Sequence, residues 1–391
     1  MIVSFWSPEA QVWHDRFLES ALGNLTARTV AIPGLSVVYP VIHCTQDGSV
    51  CHATTGEGEI NAAATLSALA LSPAHILDLR HTYFLLGGIA GVNPRAATLG
   101  SVAIARFAVQ VALQYEIDPR SLPDSWPTGY IGYGTSFPLE YPTIAYGTEV
   151  FELNAELRKV AYGLASRGDM ADEVRTQVYR AKYRDMGEAY APAAGKPGVV
   201  LCDTATSDVY YSGTILSEAF ENTTSLWTNG TGQYCMTASE DNAALGALLR
   251  AAVWNLVDFS RIIVMRAGSN FDRPPDGVSD WEHLTVSDQN GFPIAIENLF
   301  NAGMPVVSGI VKGWNCTFAE GIPTRNYIGD IFGSLGGRPD FGLGSLTDGR
   351  RVAPGGGVVN RYGRVEGGPR KLELAEMKRR EDLNGRKMGV D

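Results

Sequence analysis

The chain is short of clustered positive charge, of long apolar runs and of histidine, and each shortage removes a class of function. Lysine and arginine number 32 against 42 aspartates and glutamates, a formal net charge of −10. No basic stripe runs through the part that reads as folded. A nucleic-acid polymer, whose phosphates need clustered cations, is therefore not an expected partner. A long uncharged stretch read as helical, 61–77, contains Asn61, Ser67, Ser72, Pro73 and His75. It falls short of the roughly 20 apolar residues a bilayer crossing needs, so no membrane span is expected. Nor does the start read as a secretory leader, because 1–6 is too short an apolar stretch and Pro8 and Glu9 follow at once.

Cysteines number five and histidines six. Cys44 and Cys51 flank a turn signal, Asp47-Gly48. In a two-residue hairpin they lie opposite each other, and a disulfide is geometrically possible. His43 and His52 sit beside them and invite a zinc reading. Neighbours on a strand point to opposite faces, however, so the four side chains cannot meet one metal. No metal and no cofactor are expected. Sequons at Asn24, Asn222, Asn229 and Asn315 lean towards a secreted protein, its leader removed, over a cytoplasmic one.

What is present describes a globule with a full core: 45% hydrophobic and 19% charged residues in 391. At this length one large domain with insertions and two domains are both open. Strand-like runs at 2–6, 37–43, 49–53, 83–86, 101–111, 199–203, 261–266 and 305–310 alternate with helical patterns. Those helices are expected over 8–22, 60–71, 151–167, 170–186 and 243–257. The alternation predicts an α/β sheet with crossover units. Residues 117–147, rich in Pro, Gly and Tyr, read as a surface excursion. The expected organisation is one sheet-centred domain over 1–332. A Gly-rich segment and a charged extension follow over 333–391, with a helical tail at 371–380.

Two short motifs carry the chemistry. Ser239-Glu240-Asp241-Asn242-Ala243 puts a carboxylate at the start of an apolar helix. Arg266-Ala267-Gly268-Ser269-Asn270 ends a buried strand, where open α/β sheets hold their ligands. A carboxylate accepts hydrogen bonds from two neighbouring hydroxyls, and an amide donates and accepts along one edge. Together they suit a sugar diol joined to a heterocyclic base. Glu240, with Ser239, fits the diol; its plain alternative is a helix N-terminal acid favoured by the macrodipole. Asn270 fits the base, against a strand-end turn cap. Asp272 could give a proton to a base nitrogen if its pKa is raised, or be a loop acid. Glu9, directly after the first strand, could activate water, or simply be a first-turn helix acid. Tyr210 and Trp227 could stack on a base or pack in the core.

The order and content of these pieces resemble the nucleoside phosphorylase superfamily, and within it the proteins called purine nucleoside permeases. The resemblance covers most of 1–310. It rests on Ser7-Pro8-Glu9-Ala10-Gln11-Val12-Trp13, on Thr55-Gly56-Glu57-Gly58 with Asn61-Ala62-Ala63, and on Gly88-Ile89-Ala90-Gly91-Val92-Asn93-Pro94. Asp203-Thr204, Ser207-Asp208-Val209-Tyr210 and the two motifs above complete it.

The resemblance implies a mixed central sheet flanked by helices, and a site with Glu240 on the ribose hydroxyls and Asn270 near purine N7. Asp203 joins Tyr210 and Trp227 on the base side, and the backbone of Gly88, Ala90 and Gly91 forms a loop beside the sugar. In the hydrolase branch a Glu after strand one activates water, and Glu9 matches it. The phosphorylase branch holds phosphate with an Arg in the first loop and a Ser or Thr inside the glycine turn. This chain has no Arg in 6–9 and has Ile89 in the turn. An incoming anion would meet Glu9, which is repulsive. The expected activity is hydrolysis of purine ribonucleosides to purine and ribose, with catalytic Glu9, Asn270 and Asp272. Phosphorolysis, with Arg95 as the nearest candidate cation, and nucleoside binding during uptake are the alternatives. Without a span the chain could not be a pore or carrier alone. The partner is a small-molecule nucleoside, and a homo-oligomer is compatible with the sequence.

Overall fold

A computed structural model describes residues 1–339 and 341, and the helix expected at 371–380 lies outside them. Fifteen strands are formed among the described residues: β1 (Ile2–Ser4), β2 (Arg28–Ala31), β3 (Val41–Cys44), β4 (Cys51–Thr54), β5 (Phe84–Val92), β6 (Val102–Ile104), β7 (Phe107–Gln110), β8 (Tyr115–Glu116), β9 (Tyr130–Ile131), β10 (Val150–Glu152), β11 (Val199–Val200), β12 (Asp203–Thr206), β13 (Tyr234–Ala238), β14 (Ile262–Phe271) and β15 (Gly329–Asp330). The helices are α1 (Ser7–Arg16), α2 (Glu59–Ala70), α3 (Ala155–Ala165), α4 (Val174–Arg180), α5 (Thr214–Trp227), α6 (Asp241–Val253), α7 (Asp280–Thr285) and α8 (Gly291–Lys312).

Thirteen strands make one mixed sheet, in the order β15-β10-β7-β12-β13-β5-β1-β4-β3-β2, with β14 pairing both β5 and β6, and β11 pairing β6. The pairs β1–β4, β1–β5 and β5–β14 are parallel, while β5–β13 and β6–β14 are antiparallel. The expected α/β architecture, a mixed sheet flanked by helices, is what the chain adopts. The excursion at 117–147 holds only β9, a short 3-10 turn and irregular chain, with β9 paired to β8.

Several boundaries differ from the sequence reading, each for a local reason. The glycines of 87–91 continue β5 rather than turn, because strands flank them on both sides. Residues 150–152 form a strand before α3, whose N-terminus is set by Asn154 accepting from the amides of Glu156 and Leu157. The strand expected at 305–310 is the end of α8. Its β-branched run misleads in a short window, whereas Ile294, Asn298, Leu299, Ala302 and Val306 form a buried stripe at helical spacing. Helices α5, α7 and α8 were not foreseen.

Helix α8 packs along β14 and β5. Gly303 permits this approach: a Cβ there would lie 2.7 Å from the Trp13 ring and 2.9 Å from Met265 Cε. By length and composition α8 is apolar enough to cross a membrane, with a mean hydropathy of 1.4 in its richest window. Its buried stripe here is a core face, against Trp13, Leu85, Met265 and Ala267.

The hairpin β3–β4 pairs His43 with His52 and Cys44 with Cys51, so the two pairs occupy opposite faces. The cysteines are disulfide-bonded. On the other face His14 joins the histidines, with Nε2 3.0 Å from His52 Nδ1, and His52 Nε2 lies 3.0 Å from Ser4 Oγ. Among the described residues no group of three or more His, Cys, Asp or Glu is placed to hold a metal ion. Burial lowers the pKa of all three histidines, most strongly that of His52. A folded pKa below the unfolded value near 6.5 means the unfolded chain binds protons first. The stability from neutral histidine is complete above pH 6.5 and is lost as pH falls, by up to about 1.4 kcal/mol per unit per residue. His52→Gln should flatten this loss between pH 7 and 5 in denaturant titrations. Parallel curves for the two proteins would show that His52 does not titrate on unfolding.

Candidate functional site

A cavity of about 720 Å³ opens where the carboxyl ends of β1, β5, β12, β13 and β14 converge. Glu9, Glu240, Arg266, Asn270 and Tyr210 are among the polar side chains that line it.

Glu9 stands in the first turn of α1, only 2% exposed. Its Oε2 accepts from the amides of Phe5 (2.8 Å) and Trp6 (3.1 Å), and its Oε1 from Ile89 N (2.7 Å). Taking the Trp6 amide is half of a capping box, so the residue that starts the helix also faces the cavity. Burial raises its pKa to about 7, against the opposing pull of Arg266 and the amides of Ile89 and Phe5. A carboxyl poised there exchanges a proton readily near neutrality.

Glu240 ends the turn after β13 and leads into α6. Its Oε1 accepts from Gly58 N at 3.0 Å, and its Oε2 from Arg266 Nη2 at 2.9 Å. Gly58 holds a φ of +87°, a conformation that presents its amide with no side chain to strain. Each carboxylate oxygen keeps an unused acceptor direction.

Arg266 is the cation that sequence reasoning left without a role. It is 1% exposed. Its Nε and Nη2 donate to Asp241 Oδ1 at 3.0 and 2.6 Å, and its Nη1 to Ile89 O at 3.2 Å. Its guanidinium covers the Phe5 ring at 4.3 Å. The available signal was a charge inside an apolar strand, 262–267, because a buried charge needs a partner. Gly88 makes room: a Cβ there would lie 2.6 Å from Arg266 Nη1 and 2.7 Å from Glu9 Oε1. The two side chains thus approach one point above the β5 backbone. Arg95 lies elsewhere, paired with Glu218 at 2.7 Å and Glu221 at 3.7 Å.

Asn270 is aimed by a bulge. Gly268 pairs with Ala90 and Asn270 with Gly91, leaving Ser269 as an extra residue, an irregularity rare in parallel pairs. Ser269 Oγ donates to Ala90 O (3.1 Å) and to Asn270 Oδ1 (2.8 Å), which orients the amide. Gly91 gives its amide to Thr237 Oγ1 at 2.8 Å, and a Cβ on it would lie 2.5 Å from that oxygen. Tyr210 interacts with the Asn270 side chain at the mouth, and Ser239 lines the same wall. Phe271, His283 and Gln289 also line the cavity and are tied together: Gln289 Oε1 accepts from Phe271 N at 2.6 Å, and His283 Nε2 lies 3.0 Å from Phe271 O.

The structure thus gathers Glu9, Glu240, Ser239, Asn270, Tyr210, Ala90 and Gly91 around one cavity, with Gly88 just behind its wall. Three other expected residues are not in the wall. Asp272 is buried, receiving Arg273 Nε (2.8 Å), Arg273 Nη2 (3.0 Å) and the Tyr234 hydroxyl (2.6 Å), so its carboxylate is committed. Asp203 begins β12, at the opposite end of the strand from the cavity. It accepts from the amides of Arg106, Phe107 and Gln233, a structural clamp across three strands. Trp227 is buried at the end of α5, its ring 5.7 Å from that of Tyr141.

Fold and cavity define a mixed α/β protein with a polar cavity at its sheet's carboxyl edge. The chain belongs to the purine nucleoside permease family, whose model, described as purine nucleoside permease (NUP), matches residues 1–323. It is 46% identical over 350 residues to a purine nucleoside permease of Candida albicans, covering 88% of this chain and 83% of that one. It is 38% identical over 323 residues to a Schizosaccharomyces pombe protein named a probable purine nucleoside permease, covering 81% and 89%. Among solved structures it is similar to a 5'-methylthioadenosine/S-adenosylhomocysteine nucleosidase from Neisseria meningitidis. That likeness has a TM-score of 0.45 and 11% identity, over 80% of this chain and 97% of that one. It is also similar to futalosine hydrolase of Helicobacter pylori, with a TM-score of 0.44 and 13% identity over 78% and 95%.

Proposed function

We propose that the chain is a purine nucleosidase that uses this cavity to convert a purine ribonucleoside and water to free purine and ribose. The observation that carries the reading is Glu9, a buried carboxyl held near pKa 7 in the wall that also contains Glu240 and Asn270. Glu9 takes a proton from water as the oxygen bonds to the anomeric carbon. The carbon–N9 bond breaks, its electron pair passes into the purine, and a proton from the medium completes the neutral base. Glu240 accepts from the two ribose hydroxyls, with Ser239 beside it. Asn270 donates to N7, where charge develops as the base leaves. With Asp272 committed to Arg273 and Tyr234, the amide rather than an acid stabilises the leaving group. This favours bases that leave well as anions.

The cavity also argues for water over phosphate. Its cation, Arg266, is already engaged by Glu240 and Asp241, and Glu9 faces the same point. An entering phosphate would meet more negative charge than free positive charge. Incubation with inosine, with and without phosphate, tests the reading: ribose should form without phosphate and no faster with it. Ribose 1-phosphate would establish phosphorolysis instead. The relatives' names favour a second reading, a nucleoside-binding component of uptake, which predicts tight binding and no product.

Two substitutions report on recognition. Glu240→Gln keeps the shape but weakens charge-assisted bonds to the diol, each worth about 1.5–3 kcal/mol. Catalytic efficiency should fall by about one to three orders of magnitude in steady-state assays, with the circular dichroism spectrum unchanged. Near-wild-type kinetics would remove Glu240 from the site. Asn270→Ala should cost roughly 1–3 kcal/mol in the transition state. Asn270→Asp should change the inosine-to-adenosine preference. An identical preference in all three proteins would place selectivity elsewhere.

A further inference from the structure

We propose that Asn24 carries an N-linked glycan and that the chain acquires its fold in an oxidising, glycosylating compartment. Two independent features meet in this inference. The first is covalent: Cys44–Cys51 ties β3 to β4, and Cys202–Cys235 ties the chain before β12 to β13. Two bridges in one chain are characteristic of oxidising compartments and are rare where thiols are kept reduced. The second is the placement of the sequons, whose asparagines can accept a glycan only from the surface.

The four sequons are not equivalent. In Asn24-Leu25-Thr26 the middle residue is buried at 1% exposure and anchors the segment, while Asn24 and Thr26 on either side are exposed. Asn24 Oδ1 accepts from the amide and the hydroxyl of Thr26, both at 2.9 Å. Asn24 Nδ2, the atom to be substituted, makes none of these bonds. By contrast, Asn222 lies within α5, its Nδ2 donates to Glu218 O at 3.0 Å, and its Thr224 is buried. Asn229 is half-buried in the tight turn after α5, at a φ of +54°. Asn315 is exposed in the helical turn 314–318.

The transfer forms a bond between Asn24 Nδ2 and the anomeric carbon of an oligosaccharide. The carbon–oxygen bond to a polyprenyl diphosphate carrier breaks, and the amide loses one proton. Each disulfide forms as two thiols lose two electrons and two protons to a disulfide-bearing oxidant of the same compartment. The glycan would stand away from the cavity. Helix α1 starts at the cavity with Glu9 in its first turn and runs about 15 Å back along the sheet before the segment holding Asn24. Loss of the glycan should therefore leave turnover intact, which separates this proposal from the reading of the cavity.

The test is made on the protein isolated from the cells that naturally produce it. The tryptic peptide containing Asn24 should be found with hexosamine-bearing mass. Peptide N-glycosidase should remove that mass and leave aspartate at position 24. Alkylation of the unfolded, unreduced protein should label one thiol, Cys316, and all five cysteines after reduction. Asn24→Gln and Thr26→Ala should each abolish the modification at this site, Thr26→Ser should retain it, and inosine turnover or binding should be the same in all. An unmodified Asn24 peptide, glycan at other sequons only, or five free thiols before reduction would each overturn the proposal.

Discussion

Glu9→Gln should lower inosine hydrolysis by about 10²–10⁴-fold while nucleoside binding survives, the range a positioned general base contributes. The amide keeps the volume of the carboxyl and can still accept from Ile89 N, but it cannot take a proton from water. Glu240 and Asn270 are untouched, so affinity measured by calorimetry should change little. The wild-type pH profile supplies the second arm. A base must be ionised to act, and the buried carboxyl of Glu9 has its pKa raised to about 7. The kcat/KM should rise about tenfold per unit up to pH 7 and level off above it. The residual activity of the variant should lack that limb. A variant that turns over inosine at the wild-type rate, or a wild type insensitive to pH between 5 and 7, would exclude Glu9 as the base.

The largest loss of stability should come from Arg266→Leu. Asp241 is fully buried and Glu240 nearly so, and this guanidinium lies within 3 Å of both. Removing it strands two carboxylates, and breaking a buried pair from one side costs about 3–5 kcal/mol. Urea denaturation should show a lower midpoint with an unchanged slope. Arg266→Lys should rescue little, because an ammonium cannot reproduce the fork that serves Asp241, Glu240 and Ile89 O together. Adding Asp241→Asn to Arg266→Leu should recover part of the loss, because one stranded charge is removed. Additive losses in the double variant would mean that the two side chains are not energetically coupled.

How much of this was legible in the sequence depends on whether a residue's role is local. Glu9 and Glu240 could be read because each begins a helix directly after a strand, so both side chains lie at the sheet's carboxyl edge. Asn270 could be read because it ends an apolar strand. The hairpin disulfide was legible only as a possibility, from a turn signal and the counting of opposed positions. The residues misjudged depend on distant partners. Asp203, read as the end of a strand over 199–203, begins β12 instead, whereas Asp272 follows a strand as Glu9 does. Yet the amides of Phe107 and Gln233 claim one, and Tyr234 with Arg273 claims the other; no spacing rule announces either. Trp227 shows no sign in its own segment that Tyr141 will cover it. The second disulfide joins cysteines 33 positions apart, with helix α5 between them in place of a hairpin turn that would suggest a pairing. Helix α8 was hidden for another reason: its β-branched end imitates a strand until the window is long enough to show the 3.6 period.

The extra residue at Ser269 has a consequence of its own. Side chains on a strand alternate between faces, yet Gly268 and Asn270, two residues apart, stand opposite the consecutive residues Ala90 and Gly91 and so present opposite faces. Removing Ser269 would leave Asn270 opposite Gly91 and on the same face, but without the hydroxyl that bonds its Oδ1. The extra residue therefore bears on how the amide is held rather than on which face it occupies.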